Sequence, residues 1–215
     1  MKTGSPTEYP FFESIALRGG VPQLLSLHQA RVERTLRDHT LPFIQLPDLE
    51  ELCPDDCREG LTKCRVVYRE KIEQISFIPY QQKIIKSLSL APLKPFHTYF
   101  YKSTNRAFLE LLLAHAGADE VIFFDHNGFV TDSSYTNLLF LQGDIYYTPS
   151  TPLLEGVQRT HLLASKKIEE RQIKLEDLSL YSHVGFINAM MPLEEMPLLP
   201  IESIEPLRSY LVKER

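Results

Sequence analysis

The chain has 215 residues, 43% of them hydrophobic and 24% charged, which is enough to bury a core as one large or two small domains. A formal net charge of −5 at pH 7 supplies no basic face for a phosphate backbone, so nucleic acid is excluded as an expected partner. The opening MKTGSPTEYPFFES has no apolar stretch after its lysine and no later window reaches bilayer-spanning length, so the chain reads as cytoplasmic, without a membrane partner.

Taken in chain order, Phe11 to Leu17 alternate well enough for a strand, Arg18-Gly19-Gly20 is turn-like, and Val21 to Leu25 can return as the second arm of a hairpin. Ser26 can cap a helix in which LHQARVERTLRDH sets Arg31 and Arg34 on nearly one face, closed by Pro42 and Pro47. The cysteines, Cys53, Cys57 and Cys64, are an odd set within one short stretch. They read as free thiols, and no histidine lies at zinc-ligand spacing from them, so no metal is expected. KCRVVYREKIEQISFIPY reads as a hairpin turning at Glu70-Lys71, and Lys83 to Leu90 can add a strand.

Pro92 and Pro95 mark Ala91 to Phe100 as a linker, with a boundary near residue 97. Two domains are therefore expected, a small α+β unit over 1–97 and a larger one over 98–215. The second domain opens with a helix over Thr104 to Gly117. EVIFFD, FVTD, TNLLFL and IYYT follow as hairpin-connected strands with turns at His126-Asn127-Gly128 and Gln142-Gly143-Asp144. Gly156 to Glu170 reads as a helix, HVGFINAM as a buried strand and Ser203 to Lys213 as a terminal helix.

Four features could carry chemistry, and each has a structural alternative. Lys102 sits where linker gives way to helix; partly desolvated it is an amine nucleophile or base, otherwise a solvated cation. Asp132 could organise an Asx-type turn, or meet the ring nitrogen of a pyridine cofactor. Arg31 could be a surface cation paired with Glu33 or Asp38, or a planar fork gripping a phosphate. In TPLLEGVQRTHLL, Gly156 at a loop-to-helix junction leaves backbone N–H groups for an anion, or is simply a helix start.

FFESIALRGGVPQLLSLHQARVERT, KSTNR, GADEVIFFDHNGFVTDSSYTNLLF, GDIYYTP, LLEGVQR and INAMMP occur in the order and spacing of one known group. Over nearly its whole length the chain resembles the class IV aminotransferase-like (fold-type IV) pyridoxal-phosphate enzymes. Its K-x-x-N-R and N-A-x-M-P patterns look more like the 4-amino-4-deoxychorismate lyase branch than the branched-chain transaminases, which carry Gly-Gly-Asn-Tyr after their lysine.

The resemblance implies a two-domain α+β fold with pyridoxal 5'-phosphate in the cleft, and a homodimer acting on a small-molecule substrate. It implies Lys102 as the Schiff-base lysine, Arg31 as the phosphate-gripping arginine and Asp132 as the partner of the pyridine nitrogen. Gly156 with the backbone of Val157 and Gln158 would complete the phosphate cup, and the Asn188-Ala189 turn would pass close to the cofactor. Phe12, Ser14, Tyr68, Tyr101 and Arg106 are candidate substrate walls by position. The reaction implied is conversion of 4-amino-4-deoxychorismate to 4-aminobenzoate and pyruvate, in the folate branch. A branched-chain or D-amino-acid transaminase and a catalytically degenerate cofactor-binding protein are the alternatives. Three departures stand out: Asp132 where the family has Glu, a shortened approach to the first strand, and Ala189 where transaminases offer a hydroxyl.

Overall fold

The computed structural model describes residues 9–205 and shows a chain divided into two units, residues up to Gln82 with Tyr101–Asn105, and Lys83–Phe100 with the residues from Arg106 onward. In the first, β1 (Phe11–Arg18) turns at Gly19 and Gly20, whose φ of 59° and 83° suit residues without a Cβ, into the two-residue β2 (Val21–Pro22). Helix α1 (Leu25–Asp38) starts earlier than a Ser26 cap requires. Leu24 holds the N-cap position at φ 51° with no side-chain cap bond, so a backbone kink sets this helix start.

The hairpin of β3 (Leu61–Tyr68) and β4 (Ile72–Pro79) lies where the sequence predicts it. The four strands form an antiparallel sheet in the order β2-β1-β3-β4, with β1 and β3 in continuous register from Phe11↔Tyr68 to Arg18↔Leu61. Val32 and Leu36 of α1 pack onto Phe11, Ile15, Leu17 and Tyr68. Cys53, Cys57 and Cys64 are free thiols buried in that same core. Tyr101–Asn105 joins this unit through its backbone: Phe12 N–H donates to the Lys102 carbonyl at 2.9 Å, Thr104 N–H to the Pro10 carbonyl at 2.9 Å, and Phe11 bridges Ser103.

The second unit is a mixed sheet. Its elements are β5 (Leu88–Pro92), α2 (Ala107–Ala116), β6 (Glu120–Phe124), β7 (Val130–Ser133), β8 (Asn137–Gln142) and β9 (Ile145–Pro149). There follow α3 (Val157–Ala164), β10 (Glu169–Arg171), β11 (His183–Ile187), β12 (Leu198–Pro200) and β13 (Ile204–Glu205). The strand order is β10-β9-β8-β7-β6-β5-β13, with β11 paired to both β8 and β12. One core cluster gathers Leu88, Ile122, Leu138, Phe140, Val184 and Phe186, and α2 packs Leu109 onto Val121 and Phe123 in another.

Four expectations are corrected here. Residues 104–106 precede α2 rather than belonging to it, because Thr104 is bonded back to Pro10. Helix α3 ends at Ala164, well short of Glu170: Lys166 at φ 55° reverses the chain, Lys167 N–H closes on the Leu162 carbonyl, and Glu169–Arg171 enters the sheet as β10. The strand in HVGFINAM ends at Ile187 and gives way to a turn. Ile204 and Glu205, assigned to a terminal helix, instead pair with Leu88 and Ser89, and the remainder of that helix, 206–213, lies outside the described residues.

Phe186 is fully buried, so Phe186→Ala is expected to cost about 3–5 kcal/mol in urea denaturation, where the lost transfer energy and the cavity add. A loss below about 1 kcal/mol would contradict this placement of the core.

Candidate active site

A carboxylate on the inner side of β1 organises the first unit. Glu13 is fully buried and accepts from Arg31 Nε at 2.9 Å, from Arg31 Nη2, and from His28 Nδ1 at 2.6 Å. His28 and Arg31 stand one turn apart on α1, so the helix presents both to the same strand. Burial pushes the Glu13 carboxyl upward, but the adjacent Arg31 charge and the His28 hydrogen bond outweigh it and hold the group at about 2. Burial drives His28 the other way, below its ordinary value, so its ring is neutral near pH 7. An ionised carboxylate only accepts, hence Nδ1 carries the proton. Nε2 is then a bare acceptor, buried with no hydrogen-bond partner among the described residues.

Arg31 is therefore not the surface cation that pairing with Glu33 or Asp38 would make it; it is 7% exposed and its ion pair reaches back 18 residues to β1. Lys102 is half-buried, with its Nζ 4.8 Å from the centre of the Phe12 ring, and Arg65 lies 4.0 Å from the same ring. Tyr101 is half-buried, edge-on to His39 with centroids 4.4 Å apart, and donates to Asp38. Ser14 is half-buried on β1 opposite Arg65, while Tyr68 is 1% exposed inside the core, its hydroxyl pushed up by burial. The first unit thus brings together Arg31, Glu13 and His28, with Lys102, beside Phe12, close enough for its charge to act on His28.

The second unit holds the remaining candidates. Asp132 is buried at the end of β7 and does not close an Asx turn. Ser133 performs that task, its Oγ accepting from Thr136 N–H at 3.2 Å and lying 2.6 Å from Thr136 Oγ1. Asp132 instead accepts from Asn137 Nδ2 at 2.8 Å and from Leu154 N–H at 3.0 Å, which ties β7 to the loop before α3. Burial raises its carboxyl to about 6 despite these bonds, because the donors are neutral. The group is still mainly ionised at neutral pH and keeps acceptor capacity.

Gly156 precedes α3, at whose start Val157 and Gln158 are buried; the first amides of a helix have no partner within it. Gly156 has φ −72° and ψ 143°, open to any residue, yet a Cβ there would fall 2.0 Å from Asn137 Oδ1. The position is glycine for want of room. Asn188 and Ala189 form the turn after β11, closed by reciprocal bonds between Asn188 and Met191 and by Met190 N–H on Asn188 Oδ1 at 2.8 Å. Arg106 precedes α2, donates to the Ser134 carbonyl at 2.6 Å and lies 5.8 Å from the Tyr99 ring centre.

Three participants escape a reading of the sequence alone: Glu13, His28 and Asn137. Glu13 had a signal, a carboxylate on an otherwise apolar strand facing a helix that carries arginine. Asn137 had none, since an asparagine after a turn is commonplace.

The chain matches the amino-transferase class IV family over residues 10–204. A Haemophilus influenzae protein of unassigned function is 38% identical over 186 residues, 85% of this chain and 98% of the relative. A crystal structure from Haemophilus somnus, of a protein provisionally assigned as a 4-amino-4-deoxychorismate lyase, is 35% identical with a TM-score of 0.75, covering 86% of this chain and 98% of that one. The aminodeoxychorismate lyase of Bacillus subtilis is 24% identical over 225 residues, 90% of this chain and 77% of the relative.

Glu13 and Asp132 make opposite pH predictions. Glu13, depressed from 4.5 to about 2, contributes stability that is present above pH 4.5 and lost as pH falls toward 2, on the order of 3 kcal/mol. Glu13→Gln should be less stable at pH 7 and lack that acid-side loss. Asp132, raised from 3.8 to about 6, contributes stability present below pH 3.8 and lost as pH rises through 6, so wild type should lose stability over that interval in a way that Asp132→Asn does not. Urea titrations at pH 3, 5 and 8 measure both; a Glu13→Gln curve parallel to wild type between pH 5 and 3 would refute the first.

Proposed function

Because the chain belongs to the amino-transferase class IV family, we propose that it is the lyase that converts 4-amino-4-deoxychorismate to 4-aminobenzoate and pyruvate. The observation that carries this reading is the 35% identity, across 98% of its length, to the Haemophilus somnus protein provisionally assigned that activity. The Bacillus subtilis lyase supports it at greater distance.

The family's enzymes use pyridoxal phosphate, and the residues present fit it: a buried arginine and a helix start suit a phosphate, a buried carboxylate ionised at neutral pH suits a protonated pyridine, and a half-buried lysine suits an aldehyde. When bound, this cofactor supplies the aldehyde that takes up an amine and the ring that accepts the electron pair of a broken C–H bond. Under this reading Arg31 is the phosphate-gripping arginine, and the start of α3 offers the N–H groups of Val157 and Gln158 to an anion. Glu13 and His28 fix the plane of the Arg31 guanidinium, so that little side-chain freedom remains to be lost on binding.

Asp132 Oδ holds the proton on the ring nitrogen. Its side chain is one methylene shorter than the family's glutamate, and Asn137 and Leu154 keep it from swinging away. Lys102 Nζ serves as the base that takes the proton from the amine-bearing ring carbon of the substrate. The C–O bond to the enolpyruvyl group then breaks with its electron pair on oxygen, the ring becomes aromatic, and the departing enolate takes up a proton on carbon to become pyruvate. No amino acceptor enters this balance. Ala189, in the turn after β11, offers the phosphate no hydroxyl, which agrees with the lyase branch over the transaminases. The working form is proposed to be a homodimer, a reading that the exposed side chains of Phe96 and Phe100 support.

Purified protein with pyridoxal phosphate and 4-amino-4-deoxychorismate should release pyruvate and 4-aminobenzoate in equal amounts, and Lys102→Ala should slow release by on the order of 10³-fold. Arg31→Gln should weaken pyridoxal phosphate binding while hardly changing the binding of unphosphorylated pyridoxal. Amino transfer from an amino acid to 2-oxoglutarate without pyruvate release would overturn the lyase in favour of a transaminase. Cofactor binding with neither activity would leave a catalytically degenerate binding protein.

A further inference from the structure

Asn137 makes more specific contacts than a residue following a turn requires. Its backbone is the register partner of Asp132 on β7 and of Ile187 on β11, so it is flanked by strands on both edges, and the Asn188-Ala189 turn begins one residue beyond that row. Its Nδ2 donates at 2.8 Å to Asp132 Oδ1 and at 2.8 Å to the Leu154 carbonyl, while Leu154 N–H donates to the other oxygen of Asp132. Carboxylate, amide and peptide thus close a ring of three hydrogen bonds. Its Oδ1 fills the space beside Gly156 that a Cβ would need.

Loops generally take their conformation from what they can bond to, and a buried ring of satisfied polar groups is costly to open because each severed partner is left without water. We propose that Asn137 is a positioning residue that locks the ring-nitrogen carboxylate Asp132, the Asn188-Ala189 turn and the phosphate-binding start of α3 into one frame. The proposal rests on the reading that Asp132 and residues 156–158 hold pyridoxal phosphate. Asn137 itself touches no reacting atom. A leucine, branched alike but bulkier and apolar, could not replace it, since it would strip a donor from Asp132 and from the Leu154 carbonyl together. Gly156 follows from the same contact: its side chain is absent because the amide oxygen occupies the place.

The test titrates protein freed of cofactor with pyridoxal phosphate and with pyridoxal, which lacks the phosphate, following visible absorbance for wild type, Asp132→Asn, Asn137→Ala, Gly156→Ala and the Asn137→Ala/Gly156→Ala double variant. Asp132→Asn tests the underlying reading by itself: wild-type affinity and spectrum in that variant would refute the cofactor site, whatever Asn137 does. With that control positive, Asn137→Ala is expected to weaken pyridoxal phosphate at least tenfold, to shift the bound absorbance maximum in the same direction as Asp132→Asn, and to shrink the preference for pyridoxal phosphate over pyridoxal. Gly156→Ala, which keeps every polar group and only displaces Oδ1, should reproduce the weakening if Asn137→Ala fails to fold. The double variant should bind about as weakly as Asn137→Ala and no worse, because the clash and the lost amide act through the same group and their losses do not add. Wild-type affinity and absorbance in Asn137→Ala or in Gly156→Ala, or a double variant in which the two losses add, would overturn the proposal.

Discussion

A carboxylate taken out of water must find counter-charge, or donors, or a proton, and Glu13 and Asp132 meet that requirement in different ways. Glu13 finds a guanidinium and an imidazole on the adjacent helix and stays ionised far into the acid range. Asp132 is bonded by a neutral amide and by peptide N–H groups, with Arg159 acting only through its charge, and is left at about 6. The first arrangement is saturated and rigid, a strut between β1 and α1. The second has less positive charge around it and correspondingly more of its burial cost uncompensated.

Much of this was legible in the residue order. Strands with alternating or uniformly apolar runs, such as FFESIALR and EVIFF, declare themselves, as do hairpins with a polar turn and Gly117 at φ 66° closing α2. What was not legible depends on partners distant in sequence. Helix α3 stops at Ala164 because the chain folds back at Lys166 and because β9 lies free to receive β10, a parallel pairing that periodicity does not encode. Ile204 and Glu205 become a strand only because Leu88 and Ser89 present an edge. The start of α1 depends on a positive φ at Leu24, which a leucine gives no warning of.

The candidate site divides along the same line. Lys102, Arg31, Asp132 and Gly156 are chemically distinctive residues in a recognisable order, and family resemblance marks them. The residues that hold them are ordinary in type. Glu13 and Asn137 draw their importance from geometry, a bond across 18 residues in one case and a contact with a glycine in the other. Local reading also misjudged the turn at 132–136, where Ser133 takes the task that Asp132 was equally equipped to perform. That exchange frees the carboxylate for other partners.

The backbone attachment of Tyr101–Asn105 to β1 has a bearing on how the chain is made. During synthesis β1, α1, β3 and β4 leave the ribosome well before residue 101, so the sheet and its helix can collapse early. The edge of β1 at Phe11 and Phe12 that faces away from β3 nevertheless stays open until the lysine-bearing segment emerges. The first unit is thus finished by a piece of chain that arrives after the opening strand of the second has been translated. Vectorial folding therefore lays Lys102 onto a platform that already exists, and the amine is set in place by the last stitch of one unit rather than by the first of the next.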